Sequence, residues 1–417
     1  MNAARAWQSL LTLIAAGVIW GIATPAHAQA AGCACPAGFT PATATTCVNN
    51  LLVVVPAICP GRNVGHIAAS QQQLSFWGVN QVLQAKRDQL QRAANSTPSS
   101  PKVSGYSSSN LEDDTGSLAY SGRSEKNNPL ALHLYDATPS ASPANPIWGA
   151  WVQGLGDWEH DDALSANDVA HSTNTYTVQA GFDRTQQGVL AGDDALVVGI
   201  VGSWTNTHTG FANSPTTMKL TGPGVGVYTE YVRGGFSTDL TAKFDFLQLN
   251  EDLAGLAPNV SIGILNAGLS GNVQYKVTGI LASDKNFIEP TVGFSLTHTG
   301  FGSGAAAYFL EDAYTVRLQA GVRLGTNWDV GHGVTIDASL KGLIYGDAIA
   351  QGTSFVGATT FAAPVISPVD EGLVRGELDP ELAFNLPNDY SVTLSGQFRF
   401  GRAMEGGSAG LNLRKQW

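Results

Sequence analysis

Charge is scarce in this chain. Only 13% of its 417 residues are Asp, Glu, Lys or Arg, about half the share of an ordinary soluble domain. No block of Lys and Arg occurs, so the electrostatic footprint of nucleic-acid binding is missing. Long apolar runs are missing too: beyond the N-terminus none reaches the ~18 residues of a transmembrane helix. Insertion into a bilayer would therefore require a closed β-barrel, because lipid satisfies no backbone hydrogen bond. The sequence has no nucleophile elbow, P-loop, His-Glu-x-x-His or Gly-rich dinucleotide turn, and no cofactor or bond-making chemistry is expected. In contrast, 48 Gly and 19 Pro suit a chain of many strands and turns.

The first 28 residues read as a secretory signal. Arg5 is the positive flank, Leu10 to Ile22 the apolar core, and Ala26-His27-Ala28 the small-x-small site, cut before Gln29. Export places the chain in an oxidising compartment. The four cysteines, Cys33, Cys35, Cys47 and Cys59, are then disulfide candidates. A Cys33–Cys35 bridge would close a small, strained ring, which favours bridges from that pair to Cys47 and Cys59. Their spacing fits no zinc pattern.

Residues 29–92 form a Cys-containing and helical N-terminal region. The helix is expected over 67–92, where Phe76, Val79, Leu83 and Leu90 recur on one face. Its apolar stripe is narrow and needs a partner surface. Packing on the cysteine module is the default; threading a barrel lumen is the other reading. Residues 93–146, rich in Ser, Asn, Pro and Gly, read as a flexible linker.

From Ile147 the texture changes to period-2 alternation. Val316, Leu318, Ala320, Val322 and Leu324 share one face, and Arg317, Gln319, Gly321, Arg323 and Gly325 the other. Segment 391–400 alternates likewise, as does 240–246, where Leu240, Ala242, Phe244 and Phe246 oppose Thr241, Lys243 and Asp245. Strands of nine or more residues with this pattern suit apolar-out, polar-in walls. About twelve are expected, an even number as single-chain bacterial barrels require. They run 147–158, 172–184, 194–207, 217–232, 235–249, 267–281, 286–299, 312–326, 332–346, 371–385, 389–401 and 408–417. The fold class is all-β: a single-chain antiparallel transmembrane barrel over 147–417. Even-numbered connections are mostly short and odd-numbered ones mostly longer, with 185–193 the weakest fit. That is the rhythm of periplasmic turns and external loops, and it puts both barrel ends in the periplasm. Trp148, Trp151, Trp158, Trp204, Trp328 and Trp417 fall near strand ends, where aromatic girdles sit.

Ile147-Trp-Gly-Ala-Trp-Val-Gln-Gly-Leu-Gly156 resembles the first strand of bacterial autotransporter barrels. Gly407-Ser-Ala-Gly-Leu-Asn-Leu-Arg-Lys-Gln-Trp417 is similar to their last strand and terminal aromatic. Asn286 to Phe294 and Gly331 to Leu340 share the texture. The resemblance implies a translocator of type V secretion in the outer membrane of a Gram-negative type envelope. It also implies partners: the lipid bilayer, the barrel assembly machinery and periplasmic chaperones, with Leu411, Leu413 and Trp417 as the assembly signal. Lys415 departs from the pattern, which has an apolar or aromatic residue there. A monomeric barrel is expected, with no nucleic-acid partner.

Charges on the polar parity are expected to line the lumen: Lys243, Asp245, Lys276, Arg317, Arg323, Asp337, Lys341, Arg375, Glu377, Arg399 and Arg414, together with Asp183, Glu289, Asp379 and Glu381. They would form an ion-pair lattice or wet a pore. Pro380 on such a strand implies an end or a bulge. Gly222, Gly224 and Gly226 read as relief of crowding. Asp157, Glu159, His160, Asp161 and Asp162 read as a solvated acidic first loop, with calcium the alternative. His298 lies on the lipid parity and Ser295 on the other, which separates base from nucleophile. Three functional readings stay open: display or export of the N-terminal segment, a channel or structural barrel with a periplasmic module, and an adhesin acting through external loops.

Overall fold

The computed structural model describes residues 39–41, 46–49, 54–56, 64–95, 147–162, 170–211, 217–252, 260–279, 285–303, 312–351 and 374–417. The signal segment, Cys33, Cys35, Cys59 and the linker beyond Asn95 lie outside them, as does the side chain of Cys47. Three short strands, Phe39–Pro41, Thr46–Asn49 and Val54–Pro56, pair antiparallel. One helix follows, α1 (Val64–Asn95). Then come β1 (Ile147–Asp161), β2 (His171–Gln187), β3 (Asp194–Phe211), β4 (Thr217–Arg233), β5 (Phe236–Asp252) and β6 (Val260–Tyr275). The second half holds β7 (Asn286–Phe301), β8 (Ala313–Gly331), β9 (Val334–Gln351), β10 (Arg375–Leu386), β11 (Tyr390–Phe400) and β12 (Met404–Gln416).

Each strand pairs antiparallel with the next, and β12 returns to β1 from Met404 opposite Asp161 to Gln416 opposite Gly149. The sheet is a closed twelve-strand barrel, with Val277–Thr278 extending β6 along β7. Closure leaves no free edge, which is what a bilayer demands. Alternation sorts the faces. Tyr176, Ile200, Phe246, Leu318, Ile344 and Phe398 are exposed outward, while Gln153, Gln179, Thr241 and Asn412 are buried inside.

Most strands run beyond the expected limits: β6 starts at Val260 rather than 267, β8 ends at Gly331 rather than 326, β9 at Gln351 rather than 346, and β12 starts at Met404 rather than 408; β10 starts later, at Arg375 rather than 371, and β11 lies within its expected range. The eleventh connection is consequently the short 401–403, an exception to the long–short rhythm. The second connection, 188–193, stays a weak fit, since it is longer than the third, 212–216; the Asp194 carboxylate accepts the Val189, Leu190 and Ala191 amides at 2.7–2.8 Å and ties it down. Pro380 neither ends nor bulges its strand. The β10–β11 ladder skips Asp379 and Pro380 and resumes at Glu381 opposite Ser395, since proline has no N–H to donate. Pro223 makes the same gap between β4 and β5.

α1 lies in the lumen, the second of the two placements the sequence left open, in contact with strands around the barrel. Its Val64 end meets Met218, Leu249 and Ile262 at the long-loop rim. Its other end reaches the short-turn rim, where Gln91 donates to the Gly234 carbonyl and Gln89 to Asn385. Polar side chains over most of its surface (Gln71, Gln72, Gln81, Lys86, Arg87, Asp88, Gln91) are buried with the apolar ones. The narrow stripe is thus explained: a polar lumen surrounds the helix, so most of its faces are polar.

Small residues set how closely the wall packs. A Cβ on Gly222 would lie 2.0 Å from the Phe246 carbonyl oxygen, whereas one on Gly154 meets nothing within 4 Å. Gly222→Val should lower the unfolding free energy of the refolded barrel by at least about 1–3 kcal/mol through overpacking. Gly154→Ala should change it by less than ~0.5 kcal/mol. Urea titration followed by tryptophan fluorescence compares the two.

Candidate functional site

Among the described residues, polar groups converge in the lumen and on its helix. Near the long-loop rim the inner wall is apolar. Met218, Leu220, Leu247, Leu249, Ile262 and Ile264 receive Val64, Ile67 and Ala68. Deeper, Val79, Val82 and Leu83 pack against Trp151, Val197, Val201 and Tyr228. Trp151 therefore faces inward and is not part of an aromatic girdle, unlike the exposed Trp158, Trp204, Trp328 and Trp417. Its indole donates to the Tyr228 hydroxyl at 2.7 Å, and that hydroxyl donates to Asp183 at 3.1 Å. Arg414 also holds Asp183, at 2.5 Å. Gly181 and Gly199 give these rings room: a Cβ there would fall 2.4 Å from Trp151 and 2.3 Å from Tyr228.

Below this lies the ionic centre. Arg87 of α1 pairs with Glu230 at 3.2 Å and Glu289 at 3.1 Å, and donates to Gln274 at 2.5 Å. Asp88, the next residue, accepts from Arg323 at 2.7 Å and Lys276 at 2.8 Å. Arg323 closes the ring on Glu289 at 2.9 Å. Three cations thus meet three anions, so burial leaves no net charge among them. Lys86 donates to Gln416, Arg92 pairs with Asp337, and Gln84 donates to Glu381 at 2.9 Å. The backbone joins in: Gln179 donates to the Ser75 carbonyl at 3.2 Å and Asn266 to the Ala68 carbonyl at 2.7 Å.

The other expected lumen charges also point inward, but they pair along the wall. Lys243 pairs with Asp245, Arg317 and Arg375 both with Asp347, Lys341 with Asp379 at 2.7 Å, and Arg399 with Asp157 and Glu159. Glu377 is buried among them. Gly224 makes space for the Lys243–Asp245 pair, since a Cβ there would sit 2.0 Å from Asp245. At the barrel seam Leu411, Leu413 and Trp417 are exposed outward. Trp417 exchanges backbone hydrogen bonds with Trp148 at 3.0 and 3.1 Å. Lys415 lies 4.3 Å above the Tyr390 ring and donates to the Asn388 carbonyl at the short-turn rim. A cation is accommodated there because its stem follows the wall and its head reaches the rim.

The acidic segment is not a solvated loop. β1 runs through Asp161, so Asp157, Glu159 and Asp161 alternate inward, the last two buried and Asp157 partly so, while His160 turns outward to Ser172 (2.8 Å) and Asp162 (3.4 Å). Sequence reasoning missed Glu230 and Asp239, although Asp239 shares the parity of Thr241, Lys243 and Asp245. It also missed the inward role of Lys86, Arg87 and Asp88. Three successive charged residues on a helix cannot share one face, and that was the available signal.

Removing one partner from a buried network strands the others. Arg323→Met leaves Asp88 with Lys276 and Glu289 with Arg87, so the loss should fall near the lower end of about 3–5 kcal/mol. Arg233→Met, in an exposed pair with Asp193, should cost under ~1 kcal/mol. Denaturant midpoints of the refolded proteins read both.

The sequence family described as the autotransporter β-domain matches residues 150–397, more than half of the chain. Among solved structures, the β-domain of the Bordetella autotransporter Brka is 14% identical, with a TM-score of 0.51, covering 64% of this chain and 98% of that one. The transport unit of the autotransporter AIDA-I from Escherichia coli is also 14% identical, with a TM-score of 0.49 and coverage of 68% and 94%. The translocator domain of NalP from Neisseria meningitidis is 10% identical, with a TM-score of 0.44 and coverage of 64% and 88%. The curated proteins yield no match. A closed twelve-strand barrel with a helix in its lumen and this family match lead to one conclusion: the chain belongs to the autotransporter β-domain family.

Proposed function

We propose that this outer-membrane β-barrel of type V secretion displays its own short N-terminal segment, residues 29–63, on the cell surface and keeps α1 in the lumen as the trailing end of that export. The direction of α1 carries this reading. Its first residues lie at the long-loop rim and its last at the short-turn rim. Long loops belong outside and short turns in the periplasm, so the segment before Val64 emerges outside. Residues 96–146 run from the end of α1 to the start of β1, and both of those ends belong to the short-turn side.

In this reading residues 1–28 are the export signal and the four cysteines are oxidised after export. The outward Leu411, Leu413 and Trp417 address the chain to the assembly machinery, with periplasmic chaperones on the way. The barrel is a monomer and performs no bond-making chemistry; a role for the displayed segment is a separate matter. A channel with a periplasmic module fits less well, because α1 and its ionic contacts fill the lumen.

Specific protease sites placed at residues 29–31 and at 115–118 distinguish the two sides. On intact cells the first should be cut and the second spared until the outer membrane is permeabilised. Protection of the first site while engineered external loops are cut would end the display reading.

A further inference from the structure

Four metal-binding side chains from three elements meet at the long-loop mouth of the lumen. His66 comes from the first turn of α1, Glu159 and Asp161 from the end of β1, and His171 from the start of β2. Nitrogen and oxygen atoms of His66, Glu159 and Asp161 all lie within 4.8 Å of one another. The Nε2 of His171 is 3.2 Å from Asp161 Oδ2, and that of His66 is 4.0 Å from Glu159 Oε1. The two imidazoles meet edge to face, 6.4 Å between centroids. Three of the four side chains are at most 3% exposed, and His66 is 12% exposed.

We propose that His66, His171, Glu159 and Asp161 bind one zinc-type divalent cation that fastens the outer end of α1 to the barrel wall. The donor set is two imidazoles and two carboxylates, which suits zinc and its neighbours rather than calcium or magnesium, whose sites are built of oxygen. Zinc holds nitrogen and oxygen at about 2.0–2.2 Å, so tetrahedral ligands sit roughly 3.3 Å apart. The His171–Asp161 distance already matches this; the His66–Glu159 distance of 4.0 Å and the approach of His171 to the other three donors are closed by side-chain rotation. Glu159 is oriented for the task. Arg399 takes its Oε2 at 2.9 Å, and the Ser70 hydroxyl lies 3.2 Å from both oxygens, so Oε1 faces the imidazoles. Such outer partners orient metal ligands and tune affinity. Arg399 also pairs with Asp157, which keeps that carboxylate occupied beside the site. A divalent cation would offset the charge of two carboxylates held out of water. Nothing in the geometry depends on export, so this proposal stands apart from the display reading.

The test uses the full-length protein refolded in detergent, stripped with chelator and titrated with zinc chloride against a chromophoric chelator. Folding is checked by the faster gel mobility of the closed barrel. One zinc per chain should bind, cobalt(II) should give visible absorption of a tetrahedral site, and calcium should not compete. His66→Ala and the volume-conserving His171→Gln should each weaken zinc by at least about 100-fold, the upper range for loss of even an indirect partner. His160→Ala, facing outward, should leave affinity unchanged. Absence of stoichiometric zinc in the native protein, full retention in the His66/His171 double variant, or equal binding of calcium would each overturn the proposal.

Discussion

A bilayer offers no hydrogen bonds, and the rest of the molecule follows from that. Every backbone group between Ile147 and Trp417 that crosses lipid must pair within the sheet, so the sheet closes. Once closed, alternation forces half of the side chains outward into hydrocarbon and half inward. The outward half must be apolar, which leaves the inward half as the one place for Arg323, Glu289, Asp183 and their neighbours. A narrow interior holding such groups cannot remain unfilled at low cost. α1 fills it with matching chemistry: Arg87 for Glu230 and Glu289, Asp88 for Arg323 and Lys276. The polar helix is thus a consequence of the lipid outside the wall.

The ionic centre sets position more than stability. Buried ion pairs recover little net energy over apolar packing of similar volume, but they discriminate strongly against misplacement. A slide of α1 by one turn would move Arg87 and Asp88 by about 5.4 Å and leave six charges mismatched. The apolar clusters above, Val64 and Ile67 against Leu220 and Leu249, tolerate such shifts better because dispersion has no sign. Packing supplies the affinity of helix for wall, and charge supplies the register.

Much of the barrel was legible in the sequence. Parity alone assigned Lys243, Asp245, Arg323 and Arg399 to one face, because a period of two admits only two faces. What could not be read came from places where both faces meet similar surroundings. Leu247 and Leu249 line the lumen, yet they follow Phe244 and Phe246 on the lipid side, so large apolar residues stand on both parities of one strand. Trp151 looks like a girdle residue until the Tyr228 hydroxyl beside it is known. The acidic end of β1 looks like a loop because charges gather there; only the pairing of Asp161 with His171 shows a strand. The place of α1 was hidden for a different reason. Its hydrogen-bonding partners are 89–330 residues away in sequence, and a helix that is polar on most faces gives no direction in which to look.

α1 traverses the barrel once, and the strands traverse it twelve times. The total is odd, so the first residue of α1 and the last residue of β12 lie at opposite rims of the barrel. Hairpins are gained or lost two strands at a time, which leaves an odd number odd. The rim at which α1 begins is therefore a topological invariant of this architecture: changes in barrel girth, loop length or lumen chemistry leave it alone, and only loss of the helical crossing would reverse it.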